Sequence, residues 1–254
     1  MRPRTIQLLD EDPDLGDGID PGQRETARRE LIAEVAERPR GELDERPGLS
    51  STSGALGLLI LDGLVVRRTS MAGRRGVELL GAGDLLRPWQ NDGHHSVAPF
   101  EAVDQVLEPA RLAIIDRAAT ARIGRWPEVM ACLTTRVMNR ARALSGHLVL
   151  SQIPRVDERL HVLLYHLADR WGKVTTDGVV LPLRLSHELL GALIGAQRPT
   201  VTLALRGLTD RGHIARRPDR TWLLLEPPRA LHVPPPEDAD EGESQLRPVA
   251  AGSG

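Results

Sequence analysis

Between Leu185 and Leu208 two apolar stripes at helical spacing are separated by a single glycine, Gly195, and few arrangements of two helices satisfy that pattern. Ser186 is suited to cap the first helix, with Glu188 in its favourable first turn and Leu189, Leu190, Leu193 and Ile194 as its buried face. Gly195 supplies the positive φ needed where two helices meet sharply, and Gly191 leaves room for the second to come close. The second helix starts near Arg198-Pro199, buries Val201, Ala204, Leu205 and Leu208, and turns Arg198, Thr200, Thr202 and Arg206 outward. Gly212 ends it, and His213–Arg216 and Thr221–Leu225 read as strands joined through Arg217-Pro-Asp-Arg220, a basic hairpin or wing. The predicted unit is a winged helix-turn-helix, whose outward side chains suit base edges and phosphates.

Overall charge argues against that reading until it is divided along the chain. The total is −2, yet residues 184–220 carry seven arginines against Glu188, Asp210 and Asp219, a net +4. Residues 1–46 hold eight arginines against thirteen acidic residues, a net −5, and residues 229–254 hold two against five, a net −3. Residues 1–48 are therefore expected to be an acidic, largely disordered arm with one short helix at Arg24–Glu37, and residues 229–254 a disordered, acidic, proline-rich tail.

The middle of the chain has two textures. Leu56–Leu61, Leu64–Arg67, Val77–Leu80, Leu85–Leu86, Ala102–Leu107 and Arg111–Ile115 are short apolar runs punctuated by Asp62-Gly63, Ala72-Gly73 and Gly81-Ala-Gly83-Asp84, which predicts an antiparallel β-roll over 49–126. From Pro127 a narrow stripe of Val129, Leu133, Val137, Ala141, Leu144 and Leu148 predicts a long helix over 127–152, narrow enough to be a seam between two copies. A helix at Arg155–Trp171 and a strand pair at Val174–Leu183 lead into the winged unit, giving a domain at 153–228. The expected fold is thus α+β: an N-terminal antiparallel β-roll, a long dimerisation helix and a C-terminal winged helix-turn-helix.

Several chemistries find no support. Cys132 is the only cysteine, so one chain cannot build a disulfide, a thiolate zinc cage or a four-cysteine iron–sulfur cluster. Asp92, His94 and His95 lack a second ligand pair at metal-binding spacing, and Gly81-Ala-Gly83 lacks the third glycine of a dinucleotide fingerprint. Asp157 and His161, one helical turn apart, are expected to pair at the surface, and Trp89, Trp126, Trp171 and Trp222 to pack rather than stack on a ligand. No nucleophile, base and orienting group can be assembled, so no enzyme is expected. No secretory signal or membrane-spanning run is visible, which predicts a cytoplasmic protein.

The stretch 185–225, preceded by a long helix and a glycine-punctuated β-roll, resembles the Crp/Fnr family of transcription regulators, and the likeness in element order covers roughly residues 49–226. The resemblance implies a cyclic-nucleotide-binding-like β-roll, a dimerisation helix and a winged helix that reads a palindromic operator. Arg198-Pro199-Thr200-Val201 stands where many members carry Arg-Glu-Thr-Val, so Arg198, Thr200 and Arg206 carry over as DNA contacts. Pro199 replaces the base-reading acid, and Leu203 stands where cAMP-responsive members place an arginine. With Ser186, Thr202, Arg217 and Arg220 these complete the expected DNA-binding set. In the sensor, Gly83-Asp84-Leu85-Leu86 resembles the approach to the cyclic-nucleotide cassette, but the Glu and the Arg–Ser pair are missing, and Leu144-Ser145 stands where cAMP binders carry Thr-Ser. Arg87, Arg140, Leu144 and Ser145 remain the ligand-side candidates, and neither cAMP nor an iron–sulfur cluster is expected as effector. The implied partners are double-stranded DNA, a second copy of the chain and RNA polymerase. The alternative is a metabolite-sensing dimer whose winged helix docks a protein.

Overall fold

Folding begins where composition predicts none. In the computed structural model, which describes residues 4–43, 53–88 and 101–228, the acidic N-terminal segment forms β1 (Arg4–Gln7), α1 (Leu8–Glu11), a 3-10 turn (Pro13–Gly16), α2 (Arg24–Glu30), β2 (Ile32–Arg38) and β3 (Gly41–Glu42). The expected disordered arm is therefore corrected over 4–43. The helix expected at Arg24–Glu37 stops at Glu30, and Ile32–Arg38 alternates as a strand paired antiparallel with β1. Composition misled because the acids have partners far along the chain. Glu11 pairs with Arg111 at 2.7 Å, Asp12 with Arg136 at 2.8 Å and Glu30 with Arg125 at 3.3 Å. Ile6, Leu8, Leu15, Ile19, Ala27 and Leu31 are buried between them. Counting charge without its partners made a packed segment look solvated.

β4 (Gly57–Met71) and β7 (Glu101–Ile115) are each fifteen residues long and pair antiparallel along their length, merging runs that the sequence presents as separate short strands. Asp62-Gly63 is not a turn: the β4–β7 register shifts there, which marks a bulge within a continuous strand. Ala72-Gly73 does turn the chain, both residues at positive φ, from β4 into β5 (Arg74–Leu80). β6 (Leu85–Leu86) adds to β4, and the path of the sheet runs β1-β2-β7-β4-β5, with β3 on β7. Inside the roll, Leu58, Ile60, Val65, Leu80, Leu86, Val106 and Leu112 form one core.

Asp116 caps a short helix that the sequence reading missed, α3 (Arg117–Ile123), by accepting from Ala119 N at 2.7 Å. Pro127 then opens α4 (Pro127–Leu150). Its expected stripe divides in two. Val129 and Leu133 are buried against Leu15, Ala119 and Ile123 of the same chain, so they belong to its core and not to a seam between copies. Val137, Ala141, Leu144 and Leu148 are exposed, as are Met138 and Val149 beside them. The folded N-terminal segment explains the difference, because its contacts reach only the first three turns of the helix, as far as Arg136.

The C-terminal unit comprises α5 (Val156–Trp171), β8 (Lys173–Thr175), β9 (Gly178–Leu181), α6 (His187–Ile194), α7 (Arg198–Asp210), β10 (Ile214–Arg216) and β11 (Trp222–Leu224). The four strands form a small antiparallel sheet in the order β10-β11-β9-β8. Leu160, Leu163 and Leu164 of α5 pack with Leu190 and Ile194 of α6 and Val201 and Leu205 of α7. Leu64, Val66 and Leu79 of the roll join that core, so roll and C-terminal unit share buried surface. Asp157 and His161 do not pair: Asp157 meets Arg155 and Arg211, while buried His161 turns its Nε2 to Glu226 O at 2.9 Å. Trp126 and Trp222 are buried and Trp171 packs at the edge of the shared core. Trp89, Asp92, His94, His95 and the 229–254 tail lie outside the described residues.

Candidate nucleic-acid interface

Ser186 Oγ accepts from Leu189 N at 3.1 Å and so starts α6, which leaves its hydroxyl committed to the cap. α6 ends at Gly195, whose φ of 67° is the left-handed conformation the sequence requires. Ala196 N donates to Gly191 O at 2.8 Å, and a side chain on Gly191 would strike Ala196 O, so it is the turn rather than the second helix that presses on Gly191. Two side chains from outside hold the end of α6: His147 Nε2 lies 2.8 Å from Leu193 O, and Arg159 donates to Ile194 O at 2.8 Å. These carbonyls belong to the last turn, where a helix leaves acceptors unpaired.

α7 buries Val201, Ala204, Leu205 and Leu208, while Arg198, Pro199, Thr200, Thr202, Leu203 and Arg206 are exposed. Leu203 keeps 70% of its surface open. Arg206 makes only a long pair with Asp210, at 3.8 Å on the exposed surface, so its guanidinium is available. Thr202 Oγ1 donates to Arg198 O at 3.0 Å and meets His187 Nδ1 at 2.9 Å.

The wing is rigid by construction. Asp219 accepts from Thr221 N at 3.0 Å and from Thr221 Oγ1 at 2.6 Å, and these bonds hold its carboxyl below the ordinary value of 3.8. Arg217 N donates to Thr221 O at 3.0 Å, and Arg220 takes the left-handed φ of 69° that closes the turn. Arg217 and Arg220 are exposed at its tip. Arg216 faces Trp222 across the strand pair and stacks its guanidinium 4.3 Å from the indole centre. Sequence reasoning missed Arg216, although a strand arginine opposite a tryptophan was the signal available. It also missed His187, for which a position at the start of α6 was the sole hint. Burial, then Arg216, then Arg198 depress the His187 imidazole below 6.5.

The ligand-side candidates have other occupations. Arg140 grips Glu78 at 2.6 and 2.8 Å and donates to Leu85 O at 2.9 Å. Asp84 is buried, accepts from Gly81 N at 2.9 Å and pairs at 2.8 Å with Arg170 of α5. Ser145 Oγ donates to its own helix at Ala141 O, 3.1 Å away, and Leu144 stands exposed. Arg87 is half-buried just beyond β6.

A family model described as the Crp-like helix-turn-helix domain matches residues 158–232. No curated protein matches the chain in sequence. Among solved structures, FixK2 from Bradyrhizobium japonicum is similar at 18% identity, covering 76% of this chain and 93% of its own, with a TM-score of 0.55. A CooA variant from Carboxydothermus hydrogenoformans is similar at 19% identity, covering 87% and 92%, with a TM-score of 0.55. The c-di-GMP-responsive global regulator CLP of Xanthomonas campestris is similar at 18% identity, covering 82% of this chain and 100% of its own, again with a TM-score of 0.55. At these identities the structures establish a shared fold, and the family model marks the C-terminal unit as a Crp-like helix-turn-helix. Residues 158–232 thus carry a Crp-like helix-turn-helix domain, and the roll, long helix and small C-terminal sheet share the α+β fold of these structures.

Proposed function

We propose that the chain binds a palindromic operator as a homodimer, with α7 in the major groove, the wing on the flanking phosphates, and a sensor roll that does not take cAMP. The observation that carries the DNA reading is the division of α7, one face in the core and the other showing Arg198, Thr200, Thr202, Leu203 and Arg206 to solvent. Arg198 stands at the helix N-terminus, where base edges would be reached, and the exposed Arg217 and Arg220 would meet phosphates, with Ser186 and Pro199 at the helix starts. Exposed Val137, Ala141, Leu144 and Leu148 favour a second copy along the distal part of α4. A regulator of this kind works in the cytoplasm with RNA polymerase as its further partner. Among the described residues no helix is long and apolar enough to cross a membrane.

Against cAMP stands the pairing of the arginines around the cassette. Arg140 already holds Glu78 and Arg170 already holds Asp84, so among the described residues these two arginines are committed to carboxylates before a phosphate arrives. The test of the DNA reading is selection from random duplexes at fixed salt, followed by binding of the winner. A palindrome with half-sites about 10 base pairs apart, or a multiple of that, is expected, with affinity falling steeply as salt rises. Enrichment of no sequence, and no salt-dependent shift, would favour the protein-docking alternative.

A further inference from the structure

His187 opens α6 one residue past the Ser186 cap, and its ring turns toward the outward face of α7. Thr202 Oγ1 has a single proton and gives it to Arg198 O at 3.0 Å. The 2.9 Å contact between His187 and Thr202 leaves that bond intact when the ring carries its proton on Nδ1, the tautomer assigned to it. A neutral imidazole has only one ring proton, so Nε2 is left as a bare acceptor. The charged groups that bear on the ring are Arg216 from β10 and Arg198 from α7, both cations. With burial they keep the free ring neutral around physiological pH, its affinity for a proton lying below the ordinary 6.5.

A phosphate reverses this balance. Drawn to the two guanidiniums, it would meet the Nε2 lone pair as one acceptor facing another, unless the ring takes a proton. Once protonated, Nε2–H donates to the phosphate, and the anion offsets the repulsion from Arg198 and Arg216. We propose that His187 is a proton-dependent DNA contact, in which Nε2 takes one proton from solvent as a backbone phosphate settles between Arg198 and Arg216, so that binding tightens as pH falls. The inference rests on the DNA-binding reading and adds regulation to that surface. The sign follows from linkage: a group whose proton affinity rises on binding takes up protons, and the association constant grows as pH drops below the value in the complex toward that of the free protein.

The experiment is fluorescence anisotropy with the selected operator at constant salt from about pH 5.5 to about pH 8, the range in which an imidazole titrates. Wild type, His187→Gln and His187→Arg are compared, with thermal melts to establish that each is folded. Wild-type affinity should rise by up to about tenfold per pH unit per protomer on the acid side, the limit for uptake of one proton. His187→Gln should lose that slope and match the weak binding of wild type at high pH, and His187→Arg should bind tightly with no such slope. Nitrogen-detected NMR of labelled histidine should show His187 with its neutral proton on Nδ1 and a higher titration midpoint in the complex. A slope retained in His187→Gln, or a neutral proton found on Nε2, would overturn the proton-dependent contact while leaving DNA binding intact. Failure of both wild type and His187→Arg to bind at any pH would instead remove the DNA-binding reading and this proposal with it.

Discussion

Truncating Leu148 to alanine should dissociate the dimer without loosening the protomer. Leu148 leaves 67% of its surface exposed on the distal half of α4. Full burial of a leucine is worth about 2 kcal/mol, so closing the exposed two-thirds against a second copy contributes about 1.3 kcal/mol per chain. A symmetric pair counts it twice, about 2.6 kcal/mol, which corresponds to an increase of nearly 100-fold in the dimer dissociation constant. Sedimentation equilibrium over a concentration series measures that constant, and thermal melting at a concentration where both proteins are monomeric reports the fold. Leu133→Ala is the control, since Leu133 is buried within the protomer and its loss should lower the melting temperature by the equivalent of about 2–5 kcal/mol. An unchanged dissociation constant for Leu148→Ala, or a wild type that stays monomeric at high concentration, would refute the assignment of the seam.

Arg198→Ala should lose about 1–3 kcal/mol on the selected operator and little on random duplex, whereas Arg217→Ala or Arg220→Ala should weaken both alike and reduce the salt slope by about one; titrations at several salt concentrations separate the two. Calorimetry with cAMP should show no binding at micromolar ligand, and micromolar binding coupled to tighter DNA association would contradict the account of Arg140 and Asp84. Arg170→Met should destabilise the protein by about 3–5 kcal/mol in denaturant titration, because it strands buried Asp84 without its cation. His161 is depressed below 6.5 chiefly by burial. A group of that kind supports folding above its unfolded value and loses the contribution as pH falls through its folded value, so acid should destabilise wild type more than His161→Phe, as melts between about pH 7 and pH 5 would show.

The parts of the fold legible in sequence are those whose signals are local. The Gly195 turn, the Ser186 cap and the alternation of buried and open positions in α7 depend on residues within a few places of one another, and the structure has each of them. What escaped depends on distance along the chain. Asp12 and Glu11 read as solvated acids because Arg136 and Arg111 lie more than ninety residues away, with contacts spanning separations of 124 and 100. The same blindness assigned Val129 and Leu133 to a partner, since nothing near them reveals that Leu15 folds back over the root of α4. On the interface, Thr202 was found from its place on the helix, but His187 became visible only once α6 and α7 were seen side by side.

α4 also has the proportions of a lever. Its 24 residues make a rod about 36 Å long. One end is clamped by Val129 and Leu133 in the core, and near the other His147 touches Leu193 O, just ahead of the turn that aims α7. A tilt of about 5° about Val129 would carry His147, about 27 Å further along the rod, sideways by about 2 Å. A tilt at the root too small to alter the strand pairing of the roll would therefore arrive at the end of α6, beside the Gly195 turn, as a displacement of ångström size.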